Sequence, residues 1–238
     1  PWSDEYEVDT ANHVACMTLL HKRGASFTSL DRRGVQPLHW VASQLYHAHC
    51  LPYLLSVLSP EELAAPSGEE QDCKSALQFS LAEGARGFTT AVLLVHAKVD
   101  VAYCDSLNET ALHVAAQFDC ADGVALLLEW NAAVNVANNK GNMTPLHYAA
   151  QGGHGAVVEL LLATSADHSA CSVAGDTALD MARVGLEGAN NNNNNNNNNN
   201  RASSNGQKRQ RIACKPASEW ERCVELLEGA AHDPAPLP

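Results

Sequence analysis

The sequence lacks most of the signals that announce an activity. There is no GxSxG, no GxxxxGK[ST], no HExxH and no GxGxxG, so a nucleophile elbow, a phosphate loop, a zinc-hydrolase helix and a dinucleotide turn are not read from it. The carboxylates are scattered, with no pair placed for acid–base work. Basic residues are few: 15 Lys and Arg stand against 27 Asp and Glu, a formal charge of −12. That balance argues against nucleic acid as the main ligand, because phosphate binding needs a basic face. Long apolar runs are missing too. The longest, around Ala91 to Val95, ends at His96 and Lys98, far short of the roughly 18 residues of a membrane span. The start, Pro1-Trp2-Ser3-Asp4-Glu5, is acidic and does not read as a signal or transit peptide. It has no initiator Met, so the expectation is a piece of a longer chain.

Closely spaced cysteines are also absent. The eight Cys, at 16, 50, 73, 104, 120, 171, 214 and 223, are nowhere nearer than nine residues, which excludes a CxxC knuckle. Free thiols in a reducing compartment are expected. His47, His49 and Cys50 make the densest metal-like run, but a structural zinc site needs four ligands and no second pair sits at suitable spacing. The run therefore reads as a loop between two helices. No metal, cofactor or small-molecule substrate is expected, and the chain does not read as an enzyme.

What is present repeats. Thr144-Pro145-Leu146-His147-Tyr148-Ala149-Ala150, followed by Leu160-Leu161-Leu162, has a counterpart 34 residues earlier in Thr110-Ala111-Leu112-His113-Val114-Ala115-Ala116, followed by Leu126-Leu127-Leu128. Thr177-Ala178-Leu179-Asp180 follows 33 residues later, and Gln36-Pro37-Leu38-His39 and Ser75-Ala76-Leu77-Gln78 lie upstream. Thr suits a helix N-cap and Pro suits the first helical position. The Ala pairs allow close helix approach. The stripe Val157, Val158, Leu161, Leu162 must be buried, and only a neighbouring repeat can bury it. Gly24, Lys98, Asn131 and Ser165 follow the second helices, where a left-handed residue is needed. Gly34, Asn108, Gly141 and Gly175 mark the turns before the first helices.

This pattern resembles the ankyrin repeat over most of the chain. The resemblance implies an all-α solenoid of stacked helix–turn–helix units with short β-turn or hairpin connections. It also implies a protein-binding scaffold or adaptor, with the partner on the concave surface. By position in that family, the contact residues are Arg32, Arg33 and Val35; Ser106, Leu107 and Glu109; and Asn139, Lys140 and Asn142. Gln44, Gln117, Phe118 and Gln151 are added from the first helices, with Phe118 as the aromatic anchor. The recurring His39, His113 and His147 read as structural, bonding the backbone of neighbouring turns. The alternative is a regulatory ankyrin segment of a larger enzyme or channel.

The expected organisation is an irregular cap with a half repeat over 1–35, in which Ala11 to Leu20 is a second helix, and repeats over 36–184. A disordered insertion follows over 185–218, then a closing helix over 219–230 and a mobile Pro-rich tail over 231–238. A turn is read at Glu228-Gly229-Ala230. The insertion holds the Asn run 190–200 and a basic cluster, Lys208, Arg209 and Arg211, that resembles a nuclear localisation signal. A cytoplasmic location follows, with entry to the nucleus if that cluster is read. Ser59-Pro60-Glu61-Glu62 reads as a capped extra helix before an acidic loop of Glu69, Glu70 and Asp72.

Overall fold

A computed structural model describes residues 10–68, 72–196 and 215–232. Helices account for its regular structure. Among the described residues there is no strand, only one isolated antiparallel bridge between Cys104 and Thr110. The chain divides into two compact units, Pro1–Ala133 and Val134–Pro238.

The first unit opens with α1 (Thr10–Lys22), which stands where the second helix of a half repeat was expected. Pairs follow: α2 (Pro37–Ser43) with α3 (Leu51–Val57), α5 (Ala76–Leu81) with α6 (Phe88–His96), and α7 (Ala111–Gln117) with α8 (Ala121–Glu129). The short α4 (Pro60–Ala64) is the predicted extra helix; Ser59 N–H donates to Glu62 Oε2 at 2.8 Å, which closes the capping box. First helices pack in sequence order, α2 on α5 and α5 on α7, and second helices do likewise, α3 on α6 and α6 on α8. Two 3-10 turns, Leu45–Cys50 and Gly84–Gly87, take up the one or two extra residues between the helices of the earlier pairs. The second unit holds α9 (Pro145–Gly152) with α10 (Gly155–Ala163), and α11 (Ala178–Asn196) with α12 (Ala217–His232). There α9 packs on α11 and α10 on α12.

First helices of six to eight residues are too short to persist alone, so their ends are tied down. In α5, α7, α9 and α11 the third residue after the N-cap reaches back to it, whereas Gln36 before α2 makes no side-chain cap bond. Gln78 Oε1 accepts from Ser75 N–H at 2.8 Å, His113 Nδ1 from Thr110 N–H at 3.0 Å, His147 Nδ1 from Thr144 N–H at 3.1 Å, and Asp180 Oδ2 from Thr177 N–H at 2.9 Å. Between cap and reaching residue sits a leucine that is fully buried in Leu77, Leu112 and Leu146. The alanine pairs Ala115-Ala116 and Ala149-Ala150 are at 0% exposure, as close helix approach demands. Of the second-helix stripe, Val157, Val158 and Leu161 are buried and Leu162 is half-buried.

Three boundaries differ from expectation. Helix α11 continues to Asn196, so the insertion does not begin as irregular chain at 185. A Cβ at Gly185 would overlap the Trp220 indole, so Gly185 is the seat on which α12 docks, and α11 has to remain helical across it. Helix α12 spans Ala217–His232, longer than 219–230, and passes through Glu228-Gly229-Ala230 without a turn. The remainder of the insertion, 197–214, with the basic cluster Lys208, Arg209 and Arg211, lies outside the described residues, as do Glu69, Glu70 and 233–238.

Candidate partner-binding surface

The turns before α2, α7, α9 and α11 are each built on one polar side chain that accepts from the backbone of its own loop. Asp31 Oδ1 takes Arg33 N–H (2.8 Å) and Val35 N–H (2.9 Å). Asp105 Oδ1 takes Leu107 N–H (2.9 Å) and Glu109 N–H (2.8 Å). Ser172 Oγ takes Ala174 N–H and Asp176 N–H, both at 3.2 Å. The left-handed residue lies three positions on, at Gly34 (φ 72°), Asn108 (φ 58°) and Gly175 (φ 88°). The turn starting at Asn138 is one residue longer. Its Oδ1 accepts from Gly141 N–H and Met143 N–H, and the left-handed residue is Asn142 (φ 52°), not Gly141 as the sequence reading had it. Within each unit the turns also bond to one another. Gly68 N–H donates to Gly34 O at 2.6 Å, Ser106 N–H to Asp72 O at 3.0 Å, and Val173 N–H to Gly141 O at 2.9 Å.

The outermost residues of these turns are left to solvent. In the first unit Arg32, Arg33 and Ser106 are exposed and Leu107 is half-buried; in the second, Asn139 and Lys140 are exposed. Three of the expected contact residues serve the fold instead. Val35 (8% exposed) and Glu109 (7%) turn inward, and Asn142 donates its side-chain amide to Cys171 O at 2.8 Å. On the first helices Gln117 and Gln151 are exposed, Gln44 is half-buried and Phe118 is 46% exposed.

A cleft of about 160 Å³ in the first unit brings Arg33, Val35 and Gln44 together with Ser43, Trp40 and Phe79. Trp40 is 41% exposed yet fixed: its Nε1–H donates to Asp31 Oδ2 at 3.1 Å, and the Arg33 guanidinium lies 5.2 Å from the ring centre. Hydrogen bonds from Val35 N–H, then from Trp40, hold the Asp31 carboxyl below the usual carboxylate range. In the second unit Asn138 and Tyr148 repeat the device, the amide donating to the phenol oxygen at 2.9 Å. Gln151 there lines a separate recess of about 300 Å³ with Asp176, Asp180, Met181, Val184 and Gly185. Sequence reasoning passed over Trp40 and Phe79, which share the fifth motif position. It also passed over Val173, 78% exposed, which counting back from Thr177 would have placed at a turn tip beside the others.

The histidines behave partly as expected. His113 and His147 bond the N-cap threonine of their own helix through Nδ1. The backbone of the next turn, at Asp176 and Ala170, offsets in part the burial that pushes His147 down. Gln78, at the equivalent position, makes both kinds of bond: besides its own cap, its Nε2–H donates to Glu109 O at 2.8 Å and Asp105 Oδ2 at 3.2 Å in the following turn. Burial dominates at Asp105 and raises its carboxyl despite the hydrogen bonds it accepts.

Residues 77–172 match the family model described as ankyrin repeats (3 copies). The chain is an ankyrin-repeat protein. The human ASB11 ankyrin repeat domain superposes with a TM-score of 0.61 at 26% identity, covering 72% of this chain and 73% of that one. Among curated relatives, the ankyrin-repeat chain is 32% identical over 146 residues to the nuclear factor NF-kappa-B p105 subunit of Mus musculus, 60% of this chain and 14% of that protein. It is 39% identical over 71 residues to the glycerophosphocholine phosphodiesterase GDE1 of Candida albicans, 29% of this chain and 6% of that protein. The chain thus spans a small part of these relatives. Ankyrin repeats generally mediate protein–protein interaction, and the fold is typically a non-catalytic interaction module. No helix among the described residues is long and apolar enough to cross a membrane.

Proposed function

We propose that this ankyrin-repeat protein is a scaffold or adaptor that binds a partner protein through its turn tips and first helices. The observation that carries the reading is the exposed, doubly fixed Trp40 of the first unit, set with Arg33, Gln44 and Phe79 around one cleft. Interface energy concentrates in aromatic and arginine anchors that are rigid before binding. Arg32 and Arg33 make this tip basic in a chain of net charge −12, so an acidic segment with an apolar side chain suits it. Phe118 is a second anchor of the same unit, and Lys140 offers charge at a tip of the second. Nucleic acid and small-molecule substrates are not part of this reading.

The test compares capture of partners by the wild-type chain with capture by Trp40→Ala/Arg33→Ala and by Phe118→Ala/Lys140→Ala, with crosslinks mapped to the bait. The expected result is loss of the same crosslinked partner at unchanged Tm. Retained crosslinks and yield in both variants overturn the assignment of the surface.

The match to GDE1 favours a second reading, in which the repeats regulate a larger enzyme or channel. The full open reading frame distinguishes the two. A cytoplasmic location is proposed, with nuclear entry through Lys208, Arg209 and Arg211; replacing all three by Ala in a fluorescent fusion should abolish nuclear signal.

A further inference from the structure

The first unit contains a cluster that the partner surface does not use. His13 on α1 meets His49 and Cys50 of the 3-10 turn 45–50, and a donor atom from each lies within 4.8 Å of the others. His13 Nδ1 and His49 Nε2 are 3.1 Å apart. Ring centres are 5.2 Å apart for His13 and His49, and 5.6 Å for His13 and His47. Cys50 is 4% exposed, whereas His13 and His49 are half-buried, and the cluster borders an apolar cleft of about 590 Å³ lined also by His47 and Cys16. In the sequence, His47, His49 and Cys50 lacked a partner; the fold supplies one from 36 residues away.

We propose that His13, His49 and Cys50 bind a zinc ion, with His47 turning in as the fourth donor. Tetrahedral zinc with Zn–N of about 2.0–2.1 Å sets its nitrogens about 3.3 Å apart and its imidazole centres about 5 Å apart. The His13–His49 pair already has those separations. The Cys50 sulfur already lies within 4.8 Å of both nitrogens, and zinc tolerates the remaining adjustment because its d-electrons impose no geometry of their own. Nitrogen and thiolate donors without a carboxylate select zinc over calcium or magnesium. The ion would clip α1 to the turn between α2 and α3. That helix leaves Leu19 and Leu20 more than half exposed (55% and 53%), so apolar burial alone holds it weakly.

The test uses the full chain, stripped of metal and titrated with Co2+ and then Zn2+. The expected result is a one-to-one visible absorption of tetrahedral cobalt with a thiolate charge-transfer band, displaced by Zn2+. Zinc should also slow cleavage within residues 10–36 by a protease. His13→Ala and His49→Ala should weaken Zn2+ binding at least about a hundredfold, since even outer-shell partners of ligands contribute 10–100-fold. Cys16→Ser, in the same cleft, should leave the cobalt spectrum intact. A wild-type chain that gives no thiolate–cobalt band overturns the proposal, independently of whether any variant folds. So does a band that survives loss of His13 and His49 in chains whose circular dichroism is native, or one that is lost with Cys16.

Discussion

His39 is fully buried, and desolvation drives its pKa down to about 4, against a small opposing contribution from the Lys74 backbone. In the unfolded chain it titrates near 6.5. Between those values the unfolded state holds more protons, so stability rises with pH, is complete above about 6.5, and is lost as pH falls toward the folded value. Burial lowers His147 in the same sense. Differential scanning fluorimetry should therefore show Tm declining as the pH is taken from 7 toward 4.5. His39→Gln should remove part of that decline, because Gln78 shows that an amide fits this motif position. An equally pH-sensitive variant would contradict the assignment. A second residue-scale expectation concerns Gly34. Its φ of 72° disfavours any Cβ, and one built there would sit 2.9 Å from Gly68 Cα. Gly34→Ala should lose more than the roughly 1–2 kcal/mol of left-handed strain in a urea titration. Gly175→Ala has the same strain but open space around it, and should lose less.

At the scale of the helix and its turn, Gln78 does two jobs and Ser75 one. Ser75→Ala removes an N-cap, at a cost of about 1 kcal/mol. Gln78→Leu removes that helix's reciprocal bond and also leaves Glu109 O and the buried Asp105 without the amide. It should cost about 1–3 kcal/mol and exceed the serine change in equilibrium unfolding. This level was the most legible in the sequence. Caps, buried leucines and left-handed positions recur at a fixed phase, so each copy checks the others. Even the slip from Asn142 to Gly141 was countable, since Gly34, Asn108 and Gly175 all stand two residues before their N-cap and Gly141 stands three before Thr144. What could not be counted depends on residues that the fold brings together. The Trp40 indole finds Asp31 across a turn, and His13 finds His49 across a repeat. The run after 185, with its asparagines as poor helix formers, read as coil, while α11 continues to Asn196 and the Trp220 indole lies against it at Gly185.

Over the whole chain, 27 acidic residues against 15 basic ones leave a repulsive excess. The ion pairs Arg183–Glu228 and Arg222–Glu159 are about half exposed, and pairs of that kind contribute little. Screening the excess should outweigh weakening the pairs. Raising NaCl from about 0.01 M to about 0.15 M, which shortens the Debye length from about 30 to about 8 Å, is therefore expected to raise Tm. A fall would mean that attractive pairs dominate. The salt dependence of partner capture should run the other way if Arg32 and Arg33 meet an acidic segment.

Because one oxygen of Asp31, Asp105 or Asn138 dictates the course of its loop, the path of the backbone does not depend on which amino acids stand at the apex, although Ser106 Oγ adds a bond to Asp72 O at 3.0 Å. Pairs 32–33, 106–107 and 139–140 could then be randomised together. Most clones of such a library should remain folded, and selection on it would yield new binding specificities from an unchanged frame.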